Sequence, residues 1–91
     1  MTDAARRREP IFIDLSGIFL RRTNLAGANL TGADLSKADF AHSNFRGVDF
    51  RDANLDGTIL KGADLTGARN LTRAQLDRAI IDETTRLPEG L

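Results

Sequence analysis

The feature that most constrains this chain is a strict five-residue period. From Leu15 onward every fifth residue is Leu or Phe: Leu15, Leu20, Leu25, Leu30, Leu35, Phe40, Phe45, Phe50, Leu55, Leu60 and Leu65. Two residues before each stands a small or β-branched side chain, from Ile13 and Ile18 through Ala28, Ala33 and Ala38 to Ala63. The residue between them is Asp or Asn except at Phe19 and Ile59, and Gly recurs two residues after the Leu/Phe site at 17, 27, 32, 47, 57, 62 and 67.

Neither standard element carries such a period. A helix advances about 100° per residue, so fifth neighbours leave the shared face; along a strand they point to opposite sides. The pattern fits a short extended side followed by a corner. On the side, the small residue and the Leu or Phe point inward together and the Asp or Asn points outward. The next two residues turn the corner, where Gly accepts dihedral angles that other residues resist. Four near-right-angle corners close a coil of twenty residues, and coils stack at about 4.8 Å with backbone bonds between them.

Stretches such as "ANLTGADLSKADF" and "DANLDGTILKGADLTGA" resemble the A(D/N)LXX signature of the pentapeptide-repeat family. The resemblance covers eleven units, 55 of the 91 residues. It implies an all-β solenoid, a right-handed quadrilateral β-helix of just under three coils over residues 13–68. It also implies no shared enzymatic activity, cofactor or substrate, so the motif residues are structural. Departures from the signature are Phe19 and Ile59 at the Asp/Asn site, Lys37, His42 and Asp52 at Gly sites, and bulky Ile13 and Ile18 where Ala is usual.

The twenty-residue register predicts inward columns Leu15–Leu35–Leu55, Leu20–Phe40–Leu60, Leu25–Phe45–Leu65 and Leu30–Phe50, which puts three phenylalanines in the middle coil. It also predicts four outward faces. Face one carries Asp14, Asp34 and Asn54; face three, Asn24, Asn44 and Asp64; face four, Asn29 and Asp49. Face two stacks Phe19, Asp39 and Ile59, with Arg21, Arg22, His42 and Lys61 at its margin. It alone turns apolar side chains of the repeats outward. Isolated surface apolar residues are ordinary; apolar anchors rimmed by arginine are also what a protein-binding stripe looks like. Phe19, Ile59, Arg21, Arg22, Lys61 and His42 form the candidate interaction face.

A solenoid's ends need covering. After residue 68 the register slips by one at Arg69–Asn70–Leu71, and "LTRAQLDRAI" follows. Thr72 with Gln75 reads as a capping box, and Leu71 with Leu76 as a hydrophobic staple. The expectation is a cap over 69–91 with a helix at about 73–80, Leu76, Ala79 and Ile80 on its apolar face, then an extended tail with Leu87 and Leu91 available to pack back. A competing reading continues the repeat through Leu71, Leu76 and Ile81. Residues 1–12 read as a polar, partly flexible segment. At that end either Ile11, Phe12, Ile13 and Ile18 cover the core or the top coil stacks on a second copy, giving a homodimer through a coil end.

Composition removes several functions. Net charge is zero overall and −1 over residues 13–67, where six basic side chains meet seven acidic ones. A nucleic-acid binder needs a positive excess. Some relatives in the resembled family mimic duplex DNA and protect gyrase from quinolones; they are longer and more acidic, which disfavours that alternative here. Without cysteine there is no disulfide or thiolate metal site, which fits a cytoplasmic setting. "PIFIDLSGIFL" is interrupted by Asp14 and too short to span a bilayer, and no apolar stretch of signal-peptide type follows Arg6–Arg7–Arg8. The single histidine, His42, builds no triad, and rows of Asp and Asn read as turn acceptors rather than metal ligands. The sequence therefore predicts a protein-binding scaffold that is not an enzyme, with no cofactor or metal and no nucleic-acid or membrane partner.

Overall fold

The computed structural model describes residues 12–91. From Asp14 to Asp49 each unit pairs, in parallel, with the unit twenty residues on. Asp14 pairs with Asp34 and Asp34 with Asn54 on face one; Phe19, Asp39 and Ile59 are joined on face two; Asn24, Asn44 and Asp64 on face three; Asn29, Asp49 and Arg69 on face four. The chain is a four-sided solenoid with the register its period predicts.

The ladder repeats one set of bonds. Leu15 N–H donates to the Asp34 carbonyl at 2.8 Å, Asp34 N–H to the Ile13 carbonyl at 2.9 Å, and Gly17 N–H to the Ser36 carbonyl at 2.8 Å. Within a unit the corner is closed by a bond such as Ala28 N–H to the Leu25 carbonyl, 3.0 Å. The residue two after each Leu or Phe has positive φ at every corner. Seven of these are Gly; the others are Arg22, Lys37, His42 and Asp52, at φ 56° to 61°. Arg22 is a fourth departure from Gly, alongside the three singled out by sequence.

The outward Asp and Asn side chains serve the corners. Wherever one is present in the eleven units, its Oδ1 accepts the backbone N–H two residues on, at 2.9–3.1 Å. Such Asx turns hold the chain as it leaves the side. Ser43 and Thr58, at the small inward site, act across coils instead: Ser43 Oγ donates to the Leu20 carbonyl at 3.0 Å and Thr58 Oγ1 to the Leu35 carbonyl at 2.7 Å. Both hydroxyls are buried, and both are thereby satisfied.

Inside, Leu30, Leu35, Phe40, Phe45, Phe50, Leu55, Leu60 and Leu65 are buried, whereas Leu15, Leu20 and Leu25 in the first coil are only half-buried. Phe45 packs edge-on to Phe40 at 5.2 Å between centroids and tilted against Phe50 at 5.7 Å, filling the middle coil as the columns imply.

The cap combines the two sequence readings. Helix α1 spans Arg73–Arg78, two residues shorter than expected, and Thr72 and Gln75 form the capping box. Gln75 reaches further than its sequence role suggests: its Nε2 donates to the carbonyls of Phe50 and Ala53 at 2.8 and 3.0 Å. The helix thus replaces one side of a coil and bonds to the coil above through Gln75 and through the Arg78 carbonyl, which accepts from Gly57 N–H at 2.8 Å. Then the repeat resumes. Ile80 pairs with Ile59 and Arg86 with Asp64, and Thr85 Oγ1 donates to the Leu60 carbonyl at 2.9 Å, as Thr58 does one level up. Arg69 completes the third level, and residues 73–87 add a fourth, irregular one. Leu71 and Leu76 are buried, and Ile81, Leu87 and Leu91 pack against the core.

Ile80 is the clear correction. Expected inward on a helix, it lies beyond the helix in a bridging position, which points outward, and is 42% exposed. Ala79 also lies beyond the helix, as its C-cap, and half-buried against the core. At the other end, the 1–12 segment lies, but for Phe12, outside the described residues, as does Ile11. Phe12 is exposed and its ring rests against Gly32 at a corner; Ile13 is exposed as well, and Ile18 packs on the core.

Candidate functional site

Face two is where the repeat gives up its own rule. At Phe19 and Ile59 there is no side-chain acceptor two residues before the corner amides of Arg21 and Lys61, so both corners lack the Asx bond that the other nine have. Such a bond is worth on the order of 1 kcal/mol. In exchange Phe19 presents its ring to solvent, 68% exposed, and Ile59 lies half-buried. With Ile80 the column reads Phe19, Asp39, Ile59, Ile80 down one face. At strand spacing it is roughly 14 Å long.

The charged margin is organised around Asp39. Arg21 Nε bonds the Asp39 carboxylate at 2.9 Å, and its guanidinium lies 5.0 Å from the Phe19 ring centroid in a cation–π contact. The Ala41 amide, joined by the Arg21 guanidinium, holds Asp39 below the usual carboxylate range despite the opposing push of desolvation. Arg21 thereby clamps the one acidic side chain of the stripe and leaves the apolar residues as its protruding features. Arg22, His42 and Lys61 are exposed along the adjacent corner. The imidazole of His42 lies over Gly62, where an added Cβ would overlap it. All six residues proposed from sequence thus share one face and its margin. Ile80 was missed; the signal for it is the one-residue slip at Asn70, a residue at positive φ, which moves the outward position opposite Ile59 from 79 to 80.

The rest of the surface offers little chemistry. An open concavity of about 500 Å³ is lined by Arg51, Asp52, Ala53, Asn70, Thr72 and Gln75. Its amide groups are engaged within the fold: Gln75 in the cap, and Asn70 with Asp49 at 2.9 Å. Among the described residues no three His, Cys, Asp or Glu converge as metal ligands, and no helix is long and apolar enough to cross a membrane.

The geometry defines a four-sided β-helix, and comparison with known proteins places it among right-handed quadrilateral β-helices. The family model for pentapeptide repeats matches eight copies, over residues 11–41, 33–69 and 43–82. The chain belongs to the pentapeptide-repeat family. A crystal structure of the pentapeptide-repeat protein Rfr23 from the cyanobacterium Cyanothece 51142 is similar at TM-score 0.66 and 30% identity, over 81% of this chain and 53% of that one. QnrB1, a plasmid-mediated fluoroquinolone resistance protein, is similar in fold at TM-score 0.61 and 22% identity, over 77% of this chain and 35% of that one. The chain thus spans about half the length of the first and a third of the second. No curated protein sequence matches it.

Proposed function

We propose that this chain is a non-catalytic protein-binding module whose working surface is face two. One observation carries the reading. Both units that forgo the Asx bond lie on the same face, and the register slip of the cap adds Ile80 to the same column. Corner bonding is exchanged there for exposed apolar area, at a local cost with no return in core packing. A rigid prism with an apolar stripe and an arginine margin suits recognition of another protein surface. The near-neutral repeats do not suit the duplex mimicry considered as the alternative.

The test is affinity capture with the wild-type chain and with a Phe19→Ser, Ile59→Ser double variant, including a differently tagged copy of the chain among the baits. Circular dichroism should be unchanged and capture lost. Equal capture by both proteins removes face two from consideration.

A further inference from the structure

We infer that the stripe of face two is covered by the same stripe of a second copy, the two solenoids lying antiparallel about a two-fold axis. This rests on face two being the binding surface, and it names the partner. An isologous interface requires a surface complementary to itself, and this one is so in both shape and charge. Its apolar side chains stand at the two ends, Phe19 in the first coil and Ile59 with Ile80 at the third and fourth levels, with Asp39 recessed between them at 9% exposed.

The charge order along the adjoining corner supplies the direction. That corner carries Arg21 and Arg22 at the first level, Ala41 and His42 at the second, Lys61 and Gly62 at the third, and the longer turn Asp82–Glu83–Thr84 at the fourth. One edge thus runs from positive to negative. Arg22 and Glu83 are exposed, and neither forms an ion pair among the described residues. A two-fold axis lying in the interface along the strand direction sets each corner against its own counterpart and inverts the levels. Phe19 then meets Ile80 of the second copy, and Arg22 meets Glu83, each contact made twice. On the opposite edge Lys37 meets Gly57, which brings no like charges together. His42 meets Lys61 at the centre, the one place where two basic side chains approach. The alternative axis, along the solenoid, sets Asp39 against Asp39 and leaves Arg22 facing Gly17, with no counter-charge. A face four levels high is smaller than the roughly 800 Å² per partner of a standard interface, so the dimer is weak, populated at sub-millimolar protein.

Sedimentation equilibrium of the full chain from about 10 µM to 1 mM tests this directly. The wild type should dimerise, and Arg22→Glu or Glu83→Arg alone should weaken the dimer about tenfold by setting like charges together twice. An equimolar mixture of those two variants should associate as well as the wild type, because every cross-contact in the mixed pair again joins opposite charges. A wild type that stays monomeric at 1 mM overturns the inference; lost capture of another protein by the Phe19→Ser, Ile59→Ser variant would then leave the face-two reading standing. A dimer indifferent to both charge reversals lies on another surface, such as a coil end, and overturns it. So does a mixture no tighter than its components. A dimer that survives Phe19→Ser with Ile59→Ser overturns the inference and counts against face two as well.

Discussion

Leu20 and Leu60 occupy the same column and the same place in the repeat, yet Leu60 is fully enclosed and Leu20 half-buried. The residues are identical; their neighbours are not. Leu60 lies between the Phe-filled middle coil and the irregular capping level, whereas Leu20 has the middle coil on one side only. In a solenoid each level buries its neighbours and contributes little alone, so the stability carried by one side chain is set by how many levels enclose it.

The comparison can be broken most readily by truncating the core. Phe45→Ala, in the middle coil, should destabilise the chain by about 3–5 kcal/mol in urea titrations. Leu60→Ala should follow at about 2–5 kcal/mol, and Leu20→Ala should lose clearly less. Equal losses at 20 and 60 would show that the first coil is as well enclosed as the third. The cap is probed more gently. Gln75→Ala removes the donor to the Phe50 and Ala53 carbonyls together with half of the capping box, and should cost about 1–3 kcal/mol. A negligible change would mean that the helix holds its place by Leu76 and the bond from Gly57 N–H to the Arg78 carbonyl.

The smallest effect belongs to acid. Hydrogen bonds from Thr66, assisted by Arg46, hold Asp64 below the ordinary aspartate range, and Ser16 does the same for Asp14. A carboxylate with its folded value depressed adds stability that is present above the unfolded value and lost as pH falls through the folded one. The unfolding midpoint should therefore drift down as pH falls below about 4. Asp64→Asn, which keeps the acceptor as Asn24 and Asn44 do in the same column, should flatten that drift. An unchanged drift would assign it to other carboxylates.

The coil itself was legible from residue 13 to residue 68, because every unit repeats the same chemistry and a register error would turn Leu and Phe outward. Face two was legible for the same reason, as an exception within a regular column. What sequence missed lies where the regularity stops. Leu76 and Ile80 are four apart and suit a helical face, but α1 ends at Arg78, and Ile80 belongs to the resumed ladder. Thr85–Arg86–Leu87 is a further side in the small–outward–Leu order, hidden by the additional residues of the turn before it. Arg22 gave no warning of its positive φ, since it is the adjoining units, rather than the residue, that impose that conformation.

The right-angled corners have a further consequence, for how the surface responds to changes in length. Deleting one five-residue unit, such as 43–47, leaves every inward side chain inward but rotates all that follows by a quarter turn. Ile59 would then leave the side of the prism that holds Phe19. Only excisions of whole twenty-residue turns keep the sides in line. The interior thus counts in fives and the exterior in twenties, so a shortened chain can stay folded while the column of face two is broken up.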